Sequence, residues 1–229
     1  MRMTTIQDPS VKRKFKELIK DYCPESIIDF AKLTIGAFKK VVSKRKISVL
    51  LKENREIYLE IGSGSKKGEN GWTTLDMAPG CDIFWDLSEG LPFPDETVHK
   101  IYSSHVLEHF TYIEGQRLLA ESLRVLIPGG LFSICVPNAR IYIDAYAARR
   151  TLEAVTYFGY EPAFNATSMI NYVNYVAYMD GHHKYMFDEE NLIADIEKSG
   201  FKSVRLRGFD RTIDLEVRDF ESIYAEAKK

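Results

Sequence analysis

The sequence predicts an α/β fold, a seven-stranded and mostly parallel sheet with helices on both faces. Three observations carry that expectation. From Glu56 onward, short runs rich in β-branched and aromatic residues alternate with stretches of helical spacing. The first run stops at a Gly-Ser-Gly turn and the next two stop at aspartates. The 229 residues, 45% hydrophobic and 28% charged, suit one globular domain with additions. Parallel neighbours need a crossover between them, so strand alternating with helix is their pattern.

Residues 11–22 and 25–52 read as helices parted at Pro24, with Ile27, Ile35, Phe38 and Val41 set among lysines. They make a helical addition over 1–55 that docks on the domain or presents a basic surface to a membrane or an anionic ligand. The charge supports a distinct segment: residues 1–56 carry 14 Lys/Arg against 7 Asp/Glu, and the remainder carries 17 against 26.

The strands follow in order: Glu56–Ile61, Trp72–Leu75, Asp82–Trp85 and Lys100–Ser103. A helix over 111–126 comes next, ended by Pro128-Gly129-Gly130, then a strand over Leu131–Val136. Residues 139–182 break the rhythm and are dense in tyrosine and asparagine, including Tyr142, Tyr146, Tyr157, Tyr160, Tyr172, Tyr175 and Tyr178; they read as a cap inserted after the fifth strand. The pattern resumes with a helix over 188–199, with Asp188 as N-cap and Gly200 just past its end. Strands Val204–Gly208 and Ser222–Ala227 close the chain.

Several classes are set aside. The longest apolar stretch, Leu123–Val136, is broken by Arg124 and the Pro-Gly-Gly, short of the roughly 18 apolar residues a span needs. The first residues lack the apolar core of a secretion signal, and a cytoplasmic location is expected. Cys23, Cys81 and Cys135 are odd in number and outside any C-x-x-C spacing, so neither a disulfide framework nor a zinc site is expected, and no metal is assigned.

The sharpest chemical signal is Glu60-Ile-Gly62-Ser63-Gly64 at the end of the first strand, because glycines let backbone approach a ligand where a Cβ would collide. A dinucleotide site would want a third glycine, and Lys66 and Lys67 stand there instead. A carboxylate at Glu60 suits a ligand with a cationic amino-acid end. Asp76 at the tip of the second strand is placed to hold a ribose diol. Asp86 ends the third strand, or simply starts a turn before Ser88.

Taken together, Glu60-Ile-Gly62-Ser-Gly64, Leu75-Asp76, Asp86-Leu87 with Leu91-Pro92-Phe93-Pro94-Asp95, Ser103-Ser104-His105-Val106-Leu107-Glu108-His109 and Leu126-Ile-Pro128-Gly129-Gly130 resemble the class I S-adenosylmethionine-dependent methyltransferases over roughly 57–138. The resemblance implies a Rossmann-like domain over 56–229 that binds S-adenosylmethionine. Gly62, Ser63 and Gly64 would border the methionine part, Asp76 with Met77 the ribose, and Asp86 with the Leu87 backbone the adenine. Ser104 and His105 would line the sulfonium side. This chain departs from the pattern between Gly64 and Asp76, where too few residues remain for a full crossover helix, and at His99, where many relatives carry Asp.

Methyl transfer from a sulfonium chiefly requires alignment and exclusion of water, and a base matters only when the acceptor must lose a proton. His105 and His109, four apart, are expected on one face at the start of the helix after the fourth strand; His182 and His183 reach the same cleft from the cap. His109 and His183 are the candidate catalytic residues. The expected acceptor is a small or sugar-like molecule methylated on O or N; an acidic core disfavours nucleic acid, and the basic front allows peripheral membrane contact. A non-catalytic protein of the same fold that binds S-adenosylmethionine or a nucleotide is the rival. A nicotinamide-dependent oxidoreductase is weakened by the missing glycine.

Overall fold

The computed structural model describes residues 25–53, 55–150, 152, 165 and 167–229. Its contacts divide the chain after Val42. Helix α1 runs from Glu25 to Leu50. Its last turns belong to the larger unit: Ser43 Oγ accepts a hydrogen bond from Phe84 N (2.9 Å), Lys46 Nζ donates to Asp82 O (2.6 Å), and Ile47 and Leu50 are buried. The helix expected over 11–22, its break at Pro24 and Cys23 lie outside the described residues.

Seven strands form one sheet: β1 Tyr58–Ile61, β2 Trp72–Asp76, β3 Ile83–Phe84, β4 Val98–Ser104, β5 Leu126–Pro137, β6 Lys202–Leu206 and β7 Ser222–Lys228. Their order is β3-β2-β1-β4-β5-β7-β6. The first five strands pair in parallel, and β7 runs antiparallel to both β5 and β6. This is the expected mostly parallel α/β sheet, with the chain crossing from β3 past β2 and β1 to β4. At such a switch point the strand ends diverge and leave a crevice for a ligand.

Side chains alternate between the two faces of the sheet. Leu59, Ile61, Ile101, Phe132, Ile134, Ala225 and Ala227 point one way and join the core cluster that includes Ile47 and Leu50 of α1. Helix α2, Tyr112–Val125, adds Leu118 and Leu119; helix α5, Glu189–Lys198, adds Leu192 and Ile196. On the other face the registered row is Tyr58, Glu60, Trp72, Thr74, Lys100, Tyr102 and Ser133. The crossovers over 62–71 and 77–82 contain no helix, as the short spacing from Gly64 to Asp76 requires.

Helix α2 begins with a capping box: Thr111 Oγ1 accepts from Glu114 N and the Glu114 carboxylate accepts from Thr111 N. One boundary is corrected. The helix ends at Val125, before Pro128-Gly129-Gly130, and that tripeptide lies inside β5. The reason is tertiary: Gly129 N donates to Lys229 O and Lys229 N donates to Gly130 O, so β7 extends the ladder over residues that would otherwise turn.

Helices α3, Ala139–Ala147, and α4, Ile170–Tyr178, carry the region read as a cap and pack a second cluster of Ala139, Tyr142, Tyr172 and Val176. Tyr142 is fully buried and donates to Glu221 Oε2 (2.6 Å), so it anchors the helix pair; Tyr146 and Tyr178 are exposed. Tyr157 and Tyr160 lie outside the described residues. At α5 the Asp188 cap is reciprocal: it accepts from Asn191 N and donates its own N–H to Asn191 Oδ1, both at 2.9 Å. No helix among the described residues is long and apolar enough to cross a membrane.

Candidate functional site

The Gly62-Ser63-Gly64 turn leaves β1 with both glycines in the left-handed region, φ +68° and +63°. Each is glycine for a different reason. A Cβ on Gly62 would overlap Val106 Cγ2, so the turn after β1 and the turn after β4 interlock there. Beside Gly64 nothing lies within 4 Å of where a Cβ would stand. The backbone is therefore bare on the side where the strand ends open. Ser63 is half-buried and its hydroxyl faces Gly64 O (3.5 Å).

The strand-end carboxylates sit on adjacent strands. Asp76 Oδ2 accepts from Gly64 N (2.8 Å) and Oδ1 from Ala78 N (2.7 Å), which fixes the carboxylate against the glycine turn. Each oxygen keeps a second lone pair. Met77, next along, is exposed. Trp85 N donates to Asp76 O (3.0 Å), carrying the chain from β3 to Asp86, and Asp86 Oδ1 then caps a 3-10 turn over Leu87–Glu89 by accepting from Ser88 N (2.9 Å). The turn reading of Asp86 is realised, and Oδ2 is not used in it. Glu60 is buried and pairs with Lys66, whose Nζ lies 2.8 and 3.1 Å from its two oxygens.

Two supports escaped the sequence. Asp82, read as the start of a strand, accepts from Gly68 N (2.8 Å), Thr74 N (3.2 Å) and Thr74 Oγ1 (3.1 Å), and so ties the loop 65–71 to β2. Arg124 explains the Leu-Pro-Phe-x-Asp stretch: it donates to Leu91 O (3.0 Å), Phe93 O (2.9 Å), Asp95 Oδ1 (2.7 Å) and Glu121 Oε2 (2.7 Å). That guanidinium holds the Glu121 carboxyl below its usual range. An Arg in the last turn of a helix is ordinary in a sequence, and only the fold brings the loop under it.

The histidines lie differently from expectation. His105 and His109 precede α2: His105 is in the left-handed region at φ +54°, and Leu107–His109 is a separate 3-10 turn. The Thr111 cap starts the helix later, so helical spacing is not what groups them. The turn instead surrounds Glu108, a residue 2% exposed whose carboxylate has no hydrogen-bond partner among the described residues. Burial pushes its pKa up to about 8. His105 Nδ1 and His109 Nε2 face Glu108 Oε1 at 3.8 and 4.0 Å. His183 is buried, not on a surface loop, and its ring lies 5.1 Å from that of His109. His182 is exposed and offers its carbonyl to His109 Nδ1 (2.9 Å).

The tautomers follow from the partners. Carbonyl oxygens only accept, so Nδ1 of His109 and Nδ1 of His183, 2.8 Å from Val176 O, both carry hydrogens. Their Nε2 atoms keep lone pairs. Ser222 Oγ donates to Arg218 O (2.6 Å) and hence accepts from His105 Nε2 (2.9 Å), leaving the His105 Nδ1 lone pair toward Glu108. Burial, then the Arg218 charge, pushes the His105 pKa down to about 3, and burial lowers that of His183. Ser104, before this turn, lies at the end of β4 with the Arg218 guanidinium 3.5 Å from its hydroxyl.

On the polar face, Tyr102 donates to Asp214 Oδ1 (2.9 Å), and Asp214 forms a buried fork with Arg207, at 2.5 and 2.8 Å. Arg207 Nε donates to Ser133 Oγ (3.0 Å), which locks the 207–214 segment on the sheet. Beside it a cavity of about 170 Å³ is lined by Glu60, Lys66, Asn70, Trp72, Tyr102 and Thr212 among others.

Residues 82–134, holding Asp86, the Leu-Pro-Phe stretch and the histidine turn, match the family model described as a methyltransferase domain. That match covers 53 of the 229 residues, and over this stretch the chain is similar to a methyltransferase domain. Solved structures similar to it include an S-adenosylmethionine-dependent methyltransferase from Archaeoglobus fulgidus (17% identity, 83% of this chain and 94% of that chain, TM-score 0.49). Another, from Thermotoga maritima, is described as a possible histamine N-methyltransferase (14%, 89% and 96%, 0.46). A phosphoethanolamine N-methyltransferase from Haemonchus contortus, in complex with S-adenosyl-L-methionine, is a third (12%, 0.46), and there this chain covers 81% of itself but 52% of its counterpart. No curated protein matches the chain.

S-adenosylmethionine is the cofactor that the resemblance of the sequence motifs implies. The residues present fit it on two counts. Gly64 leaves open space where a side chain would intrude, and Asp76 retains acceptor capacity beside that space. The Glu60 carboxylate shares its charge with the half-exposed Lys66.

Proposed function

We propose that this protein is an S-adenosylmethionine-dependent methyltransferase that moves a methyl group to an oxygen or nitrogen of a small or sugar-like acceptor, with His109 and His183 receiving the acceptor's proton. The observation that carries the reading is the interlock of Gly62 with Val106, which sets the histidine turn directly against the glycine turn. S-adenosylmethionine supplies a methyl already activated on a sulfonium. In this reading Glu60, Gly62, Ser63 and Gly64 receive its amino-acid end, Asp76 and Met77 its ribose, Asp86 and Leu87 its adenine, and Ser104 and His105 flank the methyl. Two imidazoles whose Nδ1 atoms are engaged by backbone carbonyls then stand on the acceptor side, His109 at the surface and His183 behind it. A hydroxyl acceptor loses a proton as the new bond forms and an ammonium must lose one before its nitrogen can attack; the His183 imidazole, its pKa lowered by burial, is ready to take it.

Turnover of S-adenosylmethionine against a panel of sugar-like and small amine acceptors tests this directly. Methylation of a panel member, with kcat reduced about 10²-fold or more in both His109→Ala and His183→Ala, is expected. Binding of S-adenosylhomocysteine without turnover of any acceptor would instead mark a non-catalytic binding protein.

A further inference from the structure

Glu108 poses a problem that methyl transfer does not solve. Neither carboxylate oxygen has a partner, and no lysine or arginine forms an ion pair with it among the described residues. An unpaired buried carboxylate costs several kcal/mol, on the order of the stability of a whole domain. Folded proteins meet such a cost by protonating the group, by pairing it or by giving it a cation to ligate.

The groups that face Glu108 are ligands in waiting. His109 and His183 each donate Nδ1–H to a backbone carbonyl and turn an Nε2 lone pair inward, the arrangement in which a carbonyl orients a metal-bound imidazole. One donor atom from each of Glu108, His109 and His183 lies within 4.8 Å of the others. Ligands around one tetrahedral zinc stand about 3.4 Å apart, so a small closure completes the set. The His109 side chain, 42% exposed, is free to supply that movement.

We propose that Glu108, His109 and His183 form a binding site for one divalent transition-metal ion of the class that takes two imidazoles and a carboxylate, Zn²⁺ or Fe²⁺. His105 stands beside it with a further lone pair toward Glu108. Mixed nitrogen and oxygen donors select these ions over Mg²⁺ and Ca²⁺, which prefer oxygen alone. Three protein ligands leave a coordination position for water or for an oxygen of the acceptor, where the ion would lower the pKa of the bound group. In the loaded protein the two imidazoles are ligands and the ion activates the acceptor; in the metal-free protein they are bases. The sequence expects no metal because it searches for spacing, and these ligands come from two segments far apart in the chain.

Calorimetric titration of the chelator-treated full chain with ZnCl₂, without S-adenosylmethionine, tests the site separately from methyl transfer. One ion bound per chain at micromolar affinity or tighter is expected, with no comparable response to MgCl₂. Glu108→Gln and His183→Ala should each weaken it about 10- to 100-fold. His182→Ala, which removes only an exposed ring, should leave it unchanged. Anomalous scattering from zinc-soaked wild-type crystals needs no variant to fold, and its peak is expected between the three side chains. Absence of saturable binding, equal affinity in the variants, or a peak elsewhere would overturn the proposal.

Discussion

The glycine turn and the histidine turn meet where Gly62 approaches Val106 and are built on opposite principles. Around the glycine turn every carboxylate is already engaged: Asp76 by two backbone amides, Asp86 by Ser88 and Glu60 by Lys66. Around the histidine turn the central carboxylate has no hydrogen-bond partner among the described residues and the imidazoles turn lone pairs toward it. The first region is pre-organised by its own hydrogen bonds, so a ligand adds to groups already in place. The second stores unsatisfied polarity and needs a proton or a cation to complete it.

The strongest way to break the comparison is Gly62→Val, which fuses the two regions at their shared contact. With φ at +68° and Val106 already occupying the space, the substitution should cost about 3 kcal/mol or more, a Tm drop of about 6–12 °C by calorimetry. A Tm within a degree or two of wild type would mean the turns are not interlocked.

Asp76→Ala tests whether an engaged carboxylate still serves a ligand. Hydrogen bonds to a charged acceptor contribute about 1.5–3 kcal/mol each, so affinity for S-adenosylhomocysteine should fall about 10- to 100-fold by calorimetry. An unchanged affinity would leave Asp76 as a turn-holder only.

Arg124→Ala sharpens the point from a distance. It frees two loop carbonyls and the Glu121 carboxylate, and should lower stability by about 1–2 kcal/mol in urea unfolding. Asp95→Ala removes only its most exposed partner and should stay within about 0.5 kcal/mol.

The smallest effect is expected from Lys66→Ala. Releasing Glu60 from a half-exposed ion pair should tighten S-adenosylhomocysteine about two- to five-fold, if that carboxylate receives the ligand's ammonium. Weaker binding in the variant would place Lys66, not Glu60, as the group that meets the ligand.

What could be read in advance followed from local chemistry. The glycines at 62 and 64, the aspartates at strand ends and the cap at Asp188 are short-range signals, and each lies where its residue type is physically required. The misread boundary at 126–130 shows the limit of such signals, because pairing with Lys229 overrode a Pro-Gly-Gly that favours a turn. His105 and His109 were grouped by helical spacing for a helix that begins only after them.

By itself the sequence determined the strand-and-helix alternation and the glycine turn, because backbone conformation and hydrophobic periodicity act over a few residues. The tertiary structure alone decided that Arg124 clamps the Leu-Pro-Phe loop, that Asp214 and Arg207 seal Tyr102, and that His183 meets His109 over Glu108. Those contacts join segments remote in the chain, and no local preference encodes which remote partner a buried charge will face.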